Sequence, residues 1–249
     1  MLGIVLAAGS GSRLGYLGGI LPKAMVPVRG RPLLWYALNS LSSLGADDAV
    51  VATRADTRIL RAYVKSLDPA DVSLNSLRVY SFTRPTHTPV ETLRKALGRP
   101  PNGPFAVVLG DDFTVAQNLS DALPDFLAAH ATVAEAVVVD HHPDALRRTC
   151  AVRLDGSDWI QEIHEKPRRP RSAVRGCGLY LFDGARFSNL LRRAAHLGKV
   201  ASLTDLVSAA AVEGGALAFR LRGRNINVNT VNDLLDAWQM APQDRHEAL

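Results

Sequence analysis

The sequence has few cysteines and no long apolar run, and each scarcity excludes a class of protein. Its two cysteines, Cys150 and Cys177, are too few for a disulfide framework, and no cluster of cysteine and histidine has the spacing of a zinc site. No apolar run approaches the roughly 18 residues that a membrane span requires, and the first residues lack the basic leader of a secretory signal. We therefore expect a cytoplasmic protein with reduced thiols and no membrane partner.

Charge of one sign is not concentrated anywhere either. The chain carries 29 lysines and arginines against 24 aspartates and glutamates, a net charge of +5 spread along its 249 residues. A nucleic-acid-binding protein would gather its basic residues into a patch or stripe, so we expect small anionic partners and no nucleic acid. Lysine is scarce, with five residues against 24 arginines, and a lysine within a motif therefore carries extra weight.

The order of apolar segments predicts an α/β fold. Short β-branched apolar runs alternate with amphipathic stretches of helical length, which is typical of a Rossmann-like, mixed but mostly parallel sheet flanked by helices. The predicted strands of this part are 3–8, 49–53, 77–82, 105–109 and 134–139, and its predicted helices are 32–44, 57–67, 90–97 and 119–130.

After residue 140 the pattern changes to shorter, alternating segments. The predicted strands here are 150–154, 159–164, 176–182 and 216–221, and the predicted helices are 185–195, 204–212 and 230–238. We interpret the chain as one domain, 1–249. It divides into a core of about 1–139, a smaller and partly antiparallel lobe of about 140–222, and a closing segment of 223–249.

A loop rich in small residues follows the first predicted strand. Residues 6–15 read LAAGSGSRLG, and glycines in such a loop let backbone N–H groups approach a phosphate chain closely. The dinucleotide fingerprint would need glycine in place of Leu14, and the Gly-Lys-Ser/Thr of a Walker loop is absent. The pattern indicates a phosphate cradle, the alternative being an ordinary strand-to-helix turn. The predicted contacts to a phosphorylated ligand here are Leu6, Ala8, Gly9, Ser10, Gly11, Ser12 and Arg13.

Two cations, Arg13 and Lys23, follow the glycines, the second in a Leu-Pro-Lys stretch. With them the sequence resembles the sugar-1-phosphate nucleotidylyltransferases, which open with L-A-x-G-x-G-x-R-L followed by P-K. The resemblance implies that Arg13 contacts the outer phosphates of a nucleoside triphosphate. It also implies that Lys23 bridges the triphosphate and the attacking phosphate, whereas in isolation Lys23 would be an ordinary solvated lysine.

An acidic pair follows the predicted strand at 105–109, where the sequence reads Gly110-Asp111-Asp112. Ligands of open α/β sheets collect at the carboxyl ends of strands, and carboxylates there suit a hard cation such as Mg²⁺ between phosphate oxygens. Turn or helix-cap chemistry is the alternative. The resemblance implies that Asp111 is a metal ligand and that Gly110 lies against the substrate.

A further charged segment reads Ile-His-Glu-Lys-Pro at 163–167 and precedes a Gly-Leu-Tyr-Leu-Phe pattern at 178–182. Taken alone, such a charge run is typical of a solvated hairpin tip. Its order and spacing resemble the acceptor-binding segment of the same family. The resemblance implies that Glu165 contacts sugar or ribose hydroxyls, that Lys166 contacts the acceptor phosphate and that Tyr180 binds substrate.

The segment before the last predicted helix departs from the family pattern. Asn227 stands where the family usually carries the aspartate that is its second metal ligand. An amide oxygen also ligates Mg²⁺, although one negative charge fewer weakens the site. Either Asn229 or Thr230 is a natural N-cap for the helix that follows.

Two other departures concern the substrates. Arg84 and Thr88 stand where thymidylyl- and uridylyltransferases carry Gln-Pro and Gly-x-Ala to grip the base, which leaves the base open and favours one other than thymine or uracil. Cys-Ala-Val at 150–152 replaces the family's frequent Tyr-Gly-Val. The acceptor therefore stays open among sugar phosphates, cyclitol phosphates and phosphonates.

The resemblance extends from about residue 2 to 236 and implies an enzyme with Mg²⁺ as its cofactor. A nucleotidyl group would pass from a nucleoside triphosphate to a sugar-1-phosphate or cyclitol phosphate by in-line attack at the α-phosphate, with Arg13, Lys23, Asp111 and Lys166 as catalytic residues. The core would bind the nucleotide, the lobe the acceptor, and the closing segment the metal. The alternatives are a cytidylyltransferase for a polyol, choline or phosphonate acceptor, and a silent regulatory homologue that binds nucleotide sugars. The oligomeric state stays open, a homo-oligomer included.

Overall fold

The computed structural model describes residues 1–9, 11–53, 58–67, 74, 77–83, 86–198 and 200–240. Its strands are β1 Leu2–Leu6, β2 Pro27–Val28, β3 Arg31–Pro32, β4 Asp48–Thr53, β5 Arg78–Thr83, β6 Pro104–Leu109, β7 Asp112–Ala116, β8 Val133–Val139, β9 Cys150–Leu154, β10 Ile160–Glu165, β11 Val174–Asp183, β12 Ala216–Arg220 and β13 Gly223–Asn227. Its helices are α1 Tyr16–Ile20, α2 Leu33–Ser43, α3 Arg58–Ser66, α4 Pro89–Leu97, α5 Ala122–Ala128, α6 Pro143–Arg148, α7 Gly184–His196, α8 Leu203–Ala211 and α9 Val231–Gln239.

The central sheet contains nine strands within the described part of the chain. β1 lies in its middle, with β4 and β6 parallel to it on either side and β5 parallel to β4 at one edge. The long strand β11 pairs antiparallel with β6 and with β8, and β12 pairs parallel with β8. The antiparallel pair of β9 and β10 joins β11 through β9. The predicted α/β class, with a mixed sheet flanked by helices, is confirmed.

Alternate residues of the central strands enter two apolar cores, one on each face of the sheet. Val5 and Val108 pack in one core with residues of α2 and α5, whereas Ile4 and Val107 pack in the other with residues of α4, α7 and α8. Because successive side chains of a strand point to opposite faces, a strand covered on both faces is apolar at every position. For this physical reason, the apolar β-branched runs of the sequence predict strands.

A third core holds α9 against the beginning of α2. Phe113 of β7 contacts the ring of Tyr36 edge-on, with 4.6 Å between ring centroids, and Leu234 of α9 belongs to the same cluster. β7 pairs antiparallel with β13, and the register places Asn227 opposite Asp112. The backbone N–H of the next residue, Val228, donates to the carbonyl oxygen of Asp111 at 3.0 Å. The closing segment is therefore fixed directly beside the acidic pair.

Several short elements are missing from the sequence-based prediction, namely α1, α6, the β2–β3 pair, β7 and β13. Thr114 and Asn225 explain the last two, because they are polar residues at buried strand positions. Their side chains hydrogen-bond to each other at 2.8 Å, a pairing that periodicity does not register. Within the described residues, none of the helices combines the length and apolar character needed to cross a bilayer.

Candidate active site

A cleft of about 480 Å³ opens at the carboxyl ends of β1 and β6. Its lining comes from the loop after β1, the β6–β7 turn, β8, the end of β10, β11 and the first turns of α4 and α8. Segments that are far apart in the sequence therefore border one space. The predicted site residues that line it are Leu6, Ala8, Gly9, Arg13, Lys23, Thr88, Gly110, Asp111, Glu165, Lys166, Tyr180 and Asn227.

The remaining predicted contacts lie elsewhere. Gly11 is buried and Ser12 is exposed, and neither is among the lining residues, while Ser10 and Arg84 lie outside the described residues. Gly11 adopts the left-handed conformation with φ of 65°, and a Cβ at Gly18 would lie 1.9 Å from its carbonyl oxygen. The glycines of this segment therefore allow α1 to pack directly on the loop.

Lys23 is the most deeply buried cation of the site, its side chain being 7% exposed. Its Nζ donates to Oδ2 of Asp111 and, at 2.7 Å, to Oδ1 of Asn229. Arg13 also donates to Oδ1 of Asn229, at 2.8 Å. Since an ammonium group out of water needs such partners, Asp111 and Asn229 hold Lys23 in the cleft.

The network continues through two amides to a buried carboxyl group. Asn229 Nδ2 donates to Asn227 Oδ1, and Asn227 Nδ2 donates to Oδ1 of Asp112. Burial raises the pKa of Asp112 to about 7, and the neighbouring charge of Asp111 adds to this, while the hydrogen bond from Asn227 opposes it. The two carboxyl groups of the acidic pair therefore differ in exposure: the Asp111 side chain is 26% exposed, whereas Asp112 is 2% exposed and is held by Asn227.

Asn229 and Thr230 have different roles. The sequence allowed either of them to be the N-cap of the last helix, and the structure shows that it is Thr230. Thr230 is the N-cap of α9, since its hydroxyl accepts from the N–H of Asp233 and the Asp233 carboxylate accepts from the N–H of Thr230 at 2.8 Å. This capping box leaves the Asn229 side chain for Lys23 and Arg13. The role of Asn229 was missed because capping alone explained a polar residue at that position.

The oxygen donors suit Mg²⁺ only together with a ligand. The described residues contain no group of three histidine, cysteine, aspartate or glutamate side chains that would hold a metal ion alone. Asp111 and Asn227 do supply a carboxylate and an amide oxygen in the same cleft as the loop after β1. Mg²⁺ is usually bound by one or two carboxylates with substrate phosphates, so this donor set fits that mode of binding.

Glu165 and Lys166 lie at the end of β10 and line the cleft. Lys166 has a φ of 45°, and its N–H donates to the carbonyl oxygen of Thr149 at 2.7 Å. Its Nζ lies 3.3 Å from Oε1 of Glu165, whose Oε2 accepts from the Thr204 hydroxyl at 2.7 Å. A side chain other than glycine in the left-handed region is uncommon, and here it turns the chain directly after the strand.

Buried polar residues support the site from behind. Arg175 of β11 donates from Nε to Asp140 at 2.8 Å and from Nη1 to Oδ1 of Asn225 at 2.7 Å. It thereby ties the central sheet to β13, which carries Asn227. Thr88 caps α4 by accepting from the N–H of Glu91 at 3.1 Å. The supporting role of Arg175 and the burial of Glu135 in β8 were not predicted from the sequence. Glu135 is nevertheless the one charged residue of β8, which is otherwise apolar.

Comparison with known proteins agrees with this arrangement. The family model for nucleotidyl transferases matches residues 2–243. The chain belongs to the nucleotidyl transferase family. The sequence of this nucleotidyltransferase is 27% identical over 230 residues to glucose-1-phosphate thymidylyltransferase of Neisseria gonorrhoeae, a match that covers 90% of this chain and 75% of the relative. The family and the enzyme class predicted from the motifs are therefore confirmed.

Two solved structures show the same fold. A UDP-glucose pyrophosphorylase complexed with UDP-glucose superposes on this nucleotidyltransferase with a TM-score of 0.80 at 16% identity, covering 95% of this chain and 96% of the other. An apo UDP-glucose pyrophosphorylase gives 0.78 at 17% identity, with the same coverage. At these identities the likeness concerns the fold.

Proposed function

We propose that this nucleotidyltransferase transfers a nucleotidyl group from a nucleoside triphosphate to a sugar-1-phosphate or a sugar-like cyclitol phosphate. The products are a nucleotide sugar and pyrophosphate. The observation that carries the proposal is the buried ammonium group of Lys23, which lies in the cleft between Asp111 and Asn229. The names of the relatives, glucose-1-phosphate thymidylyltransferase and UDP-glucose pyrophosphorylase, support the acceptor class.

Cations from two segments of the chain would bind the two phosphorylated substrates. Arg13 and Lys23, together with the amides of the loop at Gly9, would neutralise the triphosphate, and Lys166 after β10 would position the acceptor phosphate. An oxygen of the acceptor phosphate forms the new bond to the α-phosphorus. The bond to the bridging oxygen breaks, and pyrophosphate leaves with the bonding electrons. No covalent enzyme intermediate is needed, so positioning and charge neutralisation suffice.

Asp111 and Asn227 would hold Mg²⁺ together with phosphate oxygens. When bound, the ion supplies further neutralisation of the phosphate charge. Lys23 donates to Asp111 in this structure, and a bound triphosphate would offer its ammonium group a second anionic partner. Asn229 keeps Lys23 in place in either case, because it accepts from the same Nζ.

A screen of pyrophosphate release tests the proposal. ATP, GTP, CTP, UTP and dTTP are each combined with Mg²⁺ and with sugar-1-phosphates, cyclitol phosphates, a polyol phosphate, phosphocholine and a phosphonate. We expect release that requires both a nucleotide and a sugar or cyclitol phosphate, with the nucleotide sugar identified by mass spectrometry. Release with phosphocholine, the polyol phosphate or the phosphonate alone would refute this acceptor class and support the cytidylyltransferase alternative.

A further inference from the structure

A buried glutamate that no step of the proposed transfer uses borders the cleft. Glu135 lies in the middle of β8, opposite Tyr180 of β11, and is 0% exposed. Glu135 is among the residues that line the cleft, and the charges of both Glu165 and Asp112 act on it. The other residues of the strand, Val-Ala before it and Ala-Val-Val-Val after it, are apolar. A carboxyl group is thus present where the strand pattern calls for an apolar side chain.

Space for this carboxyl group is made by a glycine. A Cβ on Gly176 would lie 2.0 Å from Oε1 of Glu135 and 2.6 Å from the Cys150 sulfur. The Cys150 thiol donates to Oε1 at 3.7 Å, whereas Oε2 has no hydrogen-bond partner among the described residues. Leaving a buried polar atom unpaired destabilises the folded protein. A donor on a ligand in the cleft would remove this cost.

The surroundings of Glu135 are acidic. The titratable groups that face it from the neighbouring elements are Cys150 of β9, Glu165 of β10, Tyr180 of β11 and Asp112 of β7. Burial raises the pKa of Glu135 to about 8, and the hydrogen bond from the Cys150 thiol opposes this rise less strongly. Arg148 and Lys166, two cations that also line the cleft, are 46% and 60% exposed, and each pairs with another carboxylate.

We propose that Glu135 selects the acceptor by binding an ammonium group of an amino-substituted sugar or cyclitol phosphate, an inference that rests on the proposed function. A hydroxyl group would be bound equally well by glutamine, whose burial costs less. A carboxylate binds a charged donor more strongly than an amide does, because charge-assisted hydrogen bonds are about twice as strong as neutral ones. Binding therefore converts the carboxyl group to a carboxylate paired with the ammonium group, and the displaced proton passes to the solvent.

Matched acceptors test this selection. Glucose 1-phosphate and inositol 1-phosphate are compared with analogues in which one ring hydroxyl is replaced by an amine, each with the preferred nucleotide. We expect at least one amino analogue to have a kcat/KM roughly tenfold or more above that of its hydroxyl counterpart. Glu135→Gln should reduce this ratio at least tenfold. Glu162→Gln, the same change at an exposed position of β10, should leave the ratio unchanged.

Proton release provides a readout that needs no variant. The preferred amino analogue is titrated calorimetrically at pH 7 into the enzyme with a non-hydrolysable nucleotide, in two buffers of different ionisation enthalpy. We expect release of about one proton with the amino analogue and none with its hydroxyl counterpart. This measurement decides the matter even where Glu135→Gln does not fold.

The outcomes separate the two proposals. Turnover of hydroxyl acceptors with no gain for any amino analogue, or a ratio that Glu135→Gln leaves intact, would overturn the selection and leave the proposed function standing. Binding of the amino analogue without proton release would also overturn it. Absence of nucleotide sugar with every acceptor and every nucleotide would overturn the proposed function, and the selection with it.

Discussion

Replacement of Gly178 by alanine should damage the site more than its single methyl group suggests. Gly178 lies in β11 with a φ of 62°, at the point where the register with β8 shifts. A Cβ at this position would lie 2.1 Å from Oδ2 of Asp112, which is itself buried and accepts from Asn227. The methyl group and the carboxyl group exclude each other, so Asp112 must move and the Asn227 side chain with it.

The size of the effect follows from two separate costs. A left-handed backbone costs a residue other than glycine about 1 to 2 kcal/mol. Overpacking a filled interior adds about 1 to 3 kcal/mol. Gly214 offers a matched control, because its φ is 66° and nothing lies within 4 Å of a Cβ built on it. Gly214→Ala should therefore lose the first amount only, and Gly178→Ala about 2 to 5 kcal/mol of unfolding free energy.

Urea denaturation of the two variants and the parent chain measures these losses, and turnover at saturating Mg²⁺ measures the effect on the site. We expect Gly178→Ala to lose at least about 1 kcal/mol more than Gly214→Ala and to slow turnover roughly tenfold or more. Equal losses of stability in the two variants would refute the reasoning, because the backbone conformation alone would then account for both.

Three further predictions concern the charged residues. Asp111→Asn should lower kcat roughly a hundredfold or more in steady-state assays, because it removes the cleft carboxylate that would hold Mg²⁺ at the phosphates in the proposed reaction. Lys166→Ala should raise the acceptor KM at least about tenfold, with a smaller effect on the nucleotide KM when each substrate is varied in turn. Glu135 binds a proton more tightly in the folded than in the unfolded chain, since burial raises its pKa from 4.5 to about 8. The unfolding free energy should therefore fall as pH rises from about 4.5 to about 8, by on the order of a few kcal/mol relative to Glu135→Gln, measured by urea denaturation.

Each of these three predictions has a matched control variant at the protein surface and a result that would contradict it. Asp125→Asn on α5, Lys65→Ala on α3 and Glu162→Gln on β10 repeat the changes at exposed positions outside the cleft. More than half of the parent activity in Asp111→Asn would remove that carboxylate from the reaction. A defect confined to the nucleotide KM would contradict the acceptor role of Lys166. Parallel pH profiles for the parent chain and Glu135→Gln would show that this carboxyl group does not bind a proton preferentially in the fold.

Much of the fold and of the site depends on short segments of sequence, and it could therefore be predicted from the sequence. The strand before the glycine loop is apolar at successive positions because helices cover both faces of the sheet, and the loop itself needs small residues to turn beside α1. Arg13, Lys23, Asp111 and Lys166 follow motifs whose order along the chain matches the order in which strands deliver loops to one edge of the sheet. For these residues, the neighbouring sequence and the order of the strands are sufficient to predict that they line one cleft.

Only the tertiary structure decided how the polar side chains are partnered. Lys23 and Asn229 are separated by 206 positions, and their contact exists because β13 pairs with β7 beside the acidic pair. The same pairing makes Asp112 a buried acid and Asp111 an accessible one, although the two are adjacent and identical in the sequence. Glu135 likewise becomes a cleft residue only through the glycine that faces it from β11. Periodicity records which side chains are apolar, but the burial and pKa of a charged group depend on distant elements that pack against it.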